Sequence, residues 1–217
     1  MEINKNPSAY IVKACRGPTG CSNAIHQSPE IIEAINSVFT RLDFDPFIIA
    51  KSSETLKIHQ QFKVFVSYCP NSCSMPQIAD IGIIFAGPVK VSNNPCSHCN
   101  ACLMVCIEKA IRLDEKLGPE IIRENCLFCG KCAKVCPRET IINMPHKYRI
   151  MVGGRLGRHP RLATELPGIH SKKDAVKIVE NSIRLFMENY PKATRFSDLF
   201  SILAEGVLFD RLGVVRS

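Results

Sequence analysis

The chain has 217 residues, with 46% hydrophobic residues, 22% charged residues and a formal net charge of +8. This composition predicts a globular protein of one large or two small domains, and it excludes a membrane-spanning one. The most apolar run, IADIGIIFAGPVKV, contains Asp80, Pro88 and Lys90 and is shorter than the roughly 20 residues that a spanning helix needs.

The positive charge and the twelve cysteines point to bound cofactors. Nucleic-acid binding is disfavoured, because the basic residues are scattered, aromatic residues make up only 7% and tryptophan is absent. The N-terminal stretch MEINKNPSAY has no apolar signal core, which predicts a cytoplasmic protein with reduced thiols. We therefore expect the cysteines to bind metal, and the basic residues to balance negatively charged cofactors.

Two cysteine pairs occur early in the chain, each after a run that is typical of a β-strand. AYIVKAC ends at Cys15, and Cys21 follows it; FKVFVSYC ends at Cys69, and Cys73 follows it in CPNSC. Neither spacing is typical of a zinc chelate or of a redox C-x-x-C pair. Proline and small residues within each pair predict tight loops where the backbone approaches a cofactor closely.

Further elements before residue 95 are a helix and a strand. Ser28 and Pro29 mark the N-cap and first turn of the predicted helix PEIIEAINSVFTRL. The run ADIGIIFAG is almost continuously apolar, which predicts a strand buried on both faces.

Residues 96–111 and 126–141 are two copies of one cysteine motif, C-x2-C-x2-C-x3-C, offset by 30 residues. Three closely spaced thiolates bind one four-iron cluster, and the fourth lies on a following helix and reaches the other cluster. Structural zinc sites also use C-x2-C chelates, but rarely in this repeated form. The expected ligands are a first set, Cys96, Cys99, Cys102 and Cys136, and a second set, Cys106, Cys126, Cys129 and Cys132.

This segment resembles the bacterial-type two-cluster ferredoxin family over residues 96–141. One position departs from that family. Pro137 follows the last cysteine of the second copy, but Ile107 stands at the equivalent place in the first. The difference loosens a local turn and removes no ligand.

The chain after residue 147 predicts one strand and two helices. YRIMVGG predicts a second buried strand. Ser171 and Asp174 have capping-box spacing at the start of a helix that Pro191 ends. Its apolar face comprises Val176, Val179, Ile183 and Phe186. A last helix over about 196–210 is expected to pack Leu199, Ile202, Leu203 and Leu208 into the core.

The two early pairs, read together as C-x5-C and C-x-N-x-C, resemble the sirohaem and [4Fe-4S] half of the sulfite and nitrite reductase family. The resemblance extends through PQIADIGIIFAG and resumes in YRIMVGGRLGRHPRLATEL; the order of motifs is similar to the dissimilatory and anaerobic sulfite reductase branches. It implies an α+β (α/β) fold, in which residues 1–93 and 142–217 form a discontinuous sirohaem-type domain. Residues 94–141 are then an inserted dicluster ferredoxin domain.

The resemblance also implies cofactors and their ligands. A third [4Fe-4S] cluster, in addition to two in the ferredoxin, would be held by a third set, Cys15, Cys21, Cys69 and Cys73. Zinc or unligated core cysteines are the alternative. Cys73 would share its sulfur with the iron of a sirohaem at the catalytic position, and Asn71 would donate a hydrogen bond that shapes the loop. Six basic residues are candidates to bind the sirohaem carboxylates, and each of them can also be an ordinary solvated surface charge. They are Lys13, Arg16, Lys63, Arg155, Arg158 and Arg161.

The implied function is a sulfite or nitrite reductase, with sulfite preferred. Electrons from a donor protein or reduced carrier would pass through the ferredoxin clusters to the sirohaem-linked centre, where the small oxyanion is reduced. The alternative is a non-catalytic multi-cluster subunit that feeds a partner reductase. Only fourteen residues precede Cys15, where the family has a further half-domain. We therefore expect a homodimer or a partner subunit to supply that half, and we expect no nucleic acid and no membrane insertion.

Overall fold

The computed structural model describes residues 8–52 and 56–214. The strands within these ranges are β1 (Tyr10–Ala14), β2 (Phe62–Ser67), β3 (Ile81–Ala86), β4 (Val89–Val91), β5 (Ile111–Asp114), β6 (Gly118–Ile121), β7 (Ile141–Asn143), β8 (Lys147–Val152) and β9 (Thr164–Glu165). The helices are α1 (Glu30–Arg41), α2 (Phe44–Lys51), α3 (Ala101–Val105), α4 (Lys131–Lys134), α5 (Lys172–Asn189), α6 (Leu199–Ile202) and α7 (Glu205–Leu212).

A five-stranded sheet of order β1-β2-β3-β8-β9 forms the centre of the fold. β1, β2 and β3 run parallel, whereas β8 is antiparallel to β3 and β9 is antiparallel to β8. Parallel neighbours need a crossover connection, and α1 and α2 lie in the connection from β1 to β2. The carboxyl ends of β1 and β2 therefore meet at one edge of the sheet, where the early cysteine pairs begin.

The main core lies between this sheet and the helices α1 and α5. All six residues of β3 are buried, which confirms the prediction of a strand covered on both faces. Val64, Ile83 and Ile150 contribute the sheet side of the core. The helices contribute α1 residues such as Ile35 and α5 residues such as Ile183, both fully buried. The YRIMVGG prediction is likewise confirmed as β8.

Two helix predictions are confirmed close to their expected bounds. Ser28 Oγ accepts a hydrogen bond from the Glu30 N–H at 3.2 Å, at the start of α1. Ser171 Oγ accepts one from the Asp174 N–H, also at 3.2 Å, and caps α5. α5 ends at Asn189, two residues before Pro191. No helix in the described ranges is both long enough and apolar enough to cross a membrane.

The prediction of one last helix over 196–210 is wrong. A short 3-10 turn (Phe196–Asp198) and α6 precede a break, and α7 follows it. Leu203 and Ala204 are extended at the break, with ψ angles of 140° and 143°. The break gives α6 and α7 different orientations, so the predicted apolar residues do not share one face. Leu199 and Leu208 are fully buried, but Ile202 is 46% exposed and lies outside the core.

The segment between β3 and β8 contains two small sheets and the two cysteine motifs. β4 pairs with β7, and β5 forms a hairpin with β6. The sequence repeat is also visible in the backbone, because left-handed residues recur at the same offset of 30 in both copies. These pairs are His98 with Phe128, Asn100 with Gly130, and Lys109 with Glu139.

Candidate functional site

The first cysteine set surrounds a single small cavity. All four of its members line a cavity of about 20 Å³, so the last cysteine of the second copy lies beside the first three of the first copy. Burial raises the pKa of the Cys102 thiol, and the charges of Cys96 and Cys136 raise it further, although nearby backbone N–H groups oppose them. Hydrogen bonds from the Ala101 N–H and the Ser97 hydroxyl lower the pKa of Cys99.

The second cysteine set surrounds a different cavity. Its four members line a space of about 30 Å³, together with Gly87 and Val89 from the end of β3 and the start of β4. Burial raises the pKa of Cys132 to about 11, and the charges of the other three thiols act in the same direction, against the N–H of Ala133. The Ala110 N–H donates to Cys106 Sγ at 3.3 Å. The exchange of the fourth cysteine between copies is therefore reciprocal.

The third cysteine set meets at the carboxyl ends of β1 and β2. Cys15 directly follows β1, and Cys69 lies two residues after the end of β2, which is its parallel neighbour. The Tyr68 N–H donates to Cys15 Sγ at 3.3 Å. Burial raises the pKa of Cys69, and the charges of Cys15, Cys73 and Cys21 add to this, although the Asn71 N–H opposes it. Cys69 thus lies within electrostatic range of the other three predicted residues.

The loop from Cys69 to Ile78 is held by short contacts. Ser67 Oγ lies 2.6 Å from Ser74 Oγ and accepts a hydrogen bond from the Ser74 N–H at 3.2 Å. Ser72 and Met75 both have positive φ angles, of 56° and 62°. This path leaves Cys69 only 8% exposed but places Cys73 at the surface. Asn71 is exposed, and its backbone N–H is the group that acts on Cys69.

The six predicted basic residues differ in their surroundings. Arg155 Nη1 lies 3.0 Å from Asp198 Oδ1, and the guanidinium of Arg161 lies 3.7 Å from the centre of the Phe200 ring. Lys63 is half-buried on β2, and burial together with the charge of Arg195 lowers its pKa, against Asp80. The exposed members are Lys13, Arg16 and Arg158. Their assignment to a sirohaem stays a prediction.

The cysteine sets differ in kind from a site for a single metal ion. In the described part of the chain, no three His, Cys, Asp or Glu side chains could hold one metal ion. A [4Fe-4S] cluster makes a different demand, because its four thiolates bind four separate irons. Backbone N–H groups directed at the sulfur atoms, as Tyr68 directs its own at Cys15, also stabilise such a cluster.

Two residues of the site carry no signal in the sequence. Gly17, between Cys15 and Cys21, packs against the Tyr68 ring so closely that a Cβ on it would lie 2.1 Å from Tyr68 Cγ. Gly87 donates its N–H to Phe128 O at 2.6 Å, which ties the sheet to the second motif. Each glycine contacts a residue that is far away in the sequence, and a single sequence does not show which residue a glycine backbone will contact.

Comparison with known proteins identifies the family of this chain. A profile described as "Nitrite and sulphite reductase 4Fe-4S domain" matches residues 9–204. "Uncharacterized protein MJ0551" of Methanocaldococcus jannaschii is 28% identical over 169 residues, 76% of this chain and 53% of that protein. "Coenzyme F420-dependent sulfite reductase" of the same organism is 31% identical over 108 residues, 50% of this chain and 15% of that protein. The chain spans about half the length of the first relative and less of the second.

Two solved structures share the fold. Dissimilatory sulfite reductase I (DsrI) superposes with a TM-score of 0.62 at 16% identity, over 95% of this chain and 52% of that one. The NirA protein of Mycobacterium tuberculosis superposes with a TM-score of 0.52 at 17% identity, over 94% of this chain and 27% of that one. Since the family profile also covers most of the sequence, the chain belongs to the nitrite and sulphite reductase 4Fe-4S domain family, as an iron–sulfur protein with its mixed α/β fold.

Proposed function

We propose that this chain is an oxidoreductase of the sulfite reductase type, which carries electrons from a donor to a sirohaem-linked centre and reduces sulfite to sulfide there. The observation that carries this proposal is the arrangement of the twelve cysteines, which the sequence divides into three sets of four without remainder. The first two sets each line one cavity, and the other three thiols of the third set act electrostatically on Cys69. Sulfite is favoured over nitrite because sulfite reductases occur among both the curated relatives and the structures of the same fold.

Three [4Fe-4S] clusters and one sirohaem are the proposed cofactors. When bound, the clusters carry single electrons and the sirohaem iron binds the oxyanion as a Lewis acid. Cys73 is exposed whereas Cys69 is buried, so Cys73 is the member of the third set that can share its sulfur with a group at the surface. The exposed side chains of Arg16 and Arg158 supply positive charge that attracts a small anion.

The proposed division into domains follows the strand pairing. β4 and β7 are antiparallel partners, with Val89 opposite Asn143 and Val91 opposite Ile141. The chain therefore leaves the central sheet and returns to it at neighbouring positions, which is typical of an inserted unit whose ends are close together. Residues 94–141 form the proposed ferredoxin-like insert, and the flanking segments form the sirohaem-type domain.

We also propose that a second protein surface covers the side of the molecule near Cys73. Met75, Leu156 and Leu162 are large apolar side chains, 47%, 61% and 70% exposed. The Ala163 N–H donates to Gln77 O at 2.7 Å, so the loops that carry these residues are neighbours. Exposed apolar groups near one another are typical of an interaction site. A second copy of this chain is the favoured occupant, and a separate subunit is the other arrangement.

The first test is an anaerobic absorption spectrum with an iron and acid-labile sulfide assay. We expect about twelve irons in clusters and one in sirohaem, with the Soret and long-wavelength bands of that cofactor. Cys21→Ala serves as the matched variant and should retain about eight cluster irons. Iron near eight in the unchanged protein would exclude the third cluster, and zinc in place of iron would exclude all three.

Catalysis is tested with reduced methyl viologen as donor and sulfite as acceptor. The loaded protein should form sulfide, and Cys73→Ser should form none while keeping the clusters of the first two sets. A reduced coenzyme F420 is a second donor to try, because the name of one relative gives that dependence. A sirohaem-loaded protein that reduces nitrite and not sulfite would contradict the proposed substrate.

A further inference from the structure

A cleft of about 330 Å³ lies between the third cysteine set and the second. Cys69 and Asn71 line it on the side of the third set, and Cys106 and Cys129 line it on the side of the second. Within the described ranges, its lining includes no cysteine of the first set. Two of the three cysteine sets therefore face each other across one space.

Gly87 fixes the distance between these two sets. It follows β3 directly and forms a parallel bridge with Cys129. A Cβ on Gly87 would lie 3.3 Å from Ile25 Cγ2, in the loop after Cys21, and 3.6 Å from Gly130 Cα, in the second motif. Only the backbone of one glycine thus separates the loop of the third set from the loop of the second.

The first cysteine set does not face the cleft. Its cavity is lined by residues between 96 and 141, and by none from the central sheet or from the third-set loops. Cys99 is exposed. Gly118, in the turn of the β5–β6 hairpin, would bring a Cβ within 3.3 Å of Cys96 Cβ, and the neighbouring Leu117 is 87% exposed. This set is therefore open to solvent and to an approaching protein.

We propose that the second set holds the inner of the two ferredoxin-type centres and the first set holds the outer one. Clusters held by these sets would pass one electron at a time, from a low-potential one-electron donor to the first set, then to the second set, and then across the cleft to the third. Such a transfer forms no bond and moves no proton. Electron transfer slows steeply with distance, so the facing sets exchange electrons fastest. The order rests on the proposed function, since it requires a cluster in every set.

The order is tested by electron paramagnetic resonance on protein reduced with dithionite. A paramagnetic neighbour speeds the spin relaxation of a cluster, and the effect falls steeply with separation. The matched variants are Cys99→Ala and Cys129→Ala, which remove the second cysteine of each copy. The signal of the third set is identified by its loss in Cys21→Ala. Iron and sulfide assays on each variant count the clusters that remain.

The third-set signal should saturate at a severalfold lower microwave power in Cys129→Ala and at an unchanged power in Cys99→Ala. The reverse pattern, an equal change in both variants, or no change in either would overturn the order. If Cys129→Ala fails to fold, Gly87→Leu keeps all twelve cysteines and widens the gap, and the same lower saturation power is expected. Unchanged protein with no third-set signal and about eight irons would instead overturn the proposed function, and the order with it.

Discussion

Tyr68 connects the third cysteine set to the core through its backbone and its ring. Its N–H donates to Cys15 Sγ, and its hydroxyl donates to Ser28 O at 3.0 Å. The ring stacks on Phe85 with centroids 4.2 Å apart and planes 18° from parallel. Burial raises the pKa of Tyr68 to about 12, so the hydroxyl remains a donor at neutral pH. The loop with Cys15 and Cys21 therefore depends on the position of this ring.

Gly17→Ala should abolish the third cluster. The added methyl group would overlap the Tyr68 ring, and either the loop or the ring must move. The cluster iron should fall from about twelve to about eight per chain while the ferredoxin-type signals persist. Thr19→Ala, at an exposed position of the same loop, is the control and should keep all the iron. A Gly17→Ala protein with complete iron would show that the contact does not position the cysteines.

A stack of aromatic rings continues from Tyr68 towards the surface. Phe85 stacks on His146, and His146 stacks on the exposed His26 with centroids 4.2 Å apart. Tyr148 Oη lies 3.3 Å from His146 Nε2. Burial lowers the pKa of His146, and the charges of His26 and Lys172 lower it further, against Glu30. The folded protein therefore favours the neutral ring.

His146 should make the protein less stable in mild acid. The unfolded chain takes up a proton near the usual histidine pKa of about 6.5, and the folded chain does so only at lower pH. Since the unfolded state binds more protons in that window, stability falls as the pH drops below about 7. His146→Phe keeps the stack and removes the proton, so the thermal midpoint should fall less between about pH 7 and pH 5. The midpoint at about pH 8, where the ring is neutral in both states, is the reference. An unchanged slope would contradict the assignment.

At the scale of elements, Asp80 ties together three parts of the fold. It precedes β3 and is 1% exposed. Its carboxylate accepts hydrogen bonds from the Lys63 N–H of β2 at 2.9 Å and from the Phe196 N–H at 3.3 Å. Arg195 Nε lies 3.7 Å away and supplies the opposite charge. The sheet and the segment before α6 are thus joined through one buried carboxylate.

Asp80→Ala should lower the free energy of unfolding by about 3 to 5 kcal/mol, because it removes a buried carboxylate that accepts from two backbone N–H groups and pairs with Arg195. Denaturant unfolding under anaerobic conditions measures this change. Glu188→Ala is the matched control. It breaks the exposed ion pair with Arg211 and should cost about 1 kcal/mol or less. Similar losses in the two variants would show that Asp80 is not a special support.

The parts of the fold that could be predicted from the sequence are those that local pattern determines. Apolar runs predict β1, β2, β3 and β8, and capping residues predict the starts of α1 and α5. The cysteine spacing predicts which thiols meet, because the motif itself encodes the exchange between copies. The break at Leu203 was missed, since the apolar spacing of 199–208 fits a helix and the packing that bends it is distant in sequence. The contact of Gly87 with the second motif was missed for the same reason.

At the scale of the whole molecule, the face near Cys73 is the proposed interface between chains. The single chain has a mass of 24.2 kDa. Met75, Leu156 and Leu162 expose apolar surface on this face, and Leu117 exposes a comparable side chain beside the first cysteine set. If the proposed homodimer forms through the first group, a charge placed there should separate the chains, and a charge at Leu117 should not.

Sedimentation of the cofactor-loaded protein tests this expectation. The unchanged protein should sediment as a dimer, and Leu162→Glu should shift it towards the monomer because a carboxylate would be buried at the interface. Leu117→Glu should sediment as the unchanged protein does. A dimer that persists in Leu162→Glu would show that the interface lies elsewhere on the surface. A monomer that reduces sulfite would show that activity does not require a dimer.

The exchange of the fourth cysteine between the two motif copies also constrains the order in which the ligand sets are completed during synthesis. In the proposed ligand sets, the third set is complete once residue 73 has left the ribosome, and the second once residue 132 has. The first set begins at Cys96 but lacks its last ligand until Cys136 emerges. The proposed outer centre is therefore the last that a growing chain can fill. A chain interrupted between residues 132 and 136 would have the ligands of the two proposed inner centres and would lack the proposed entry point for electrons.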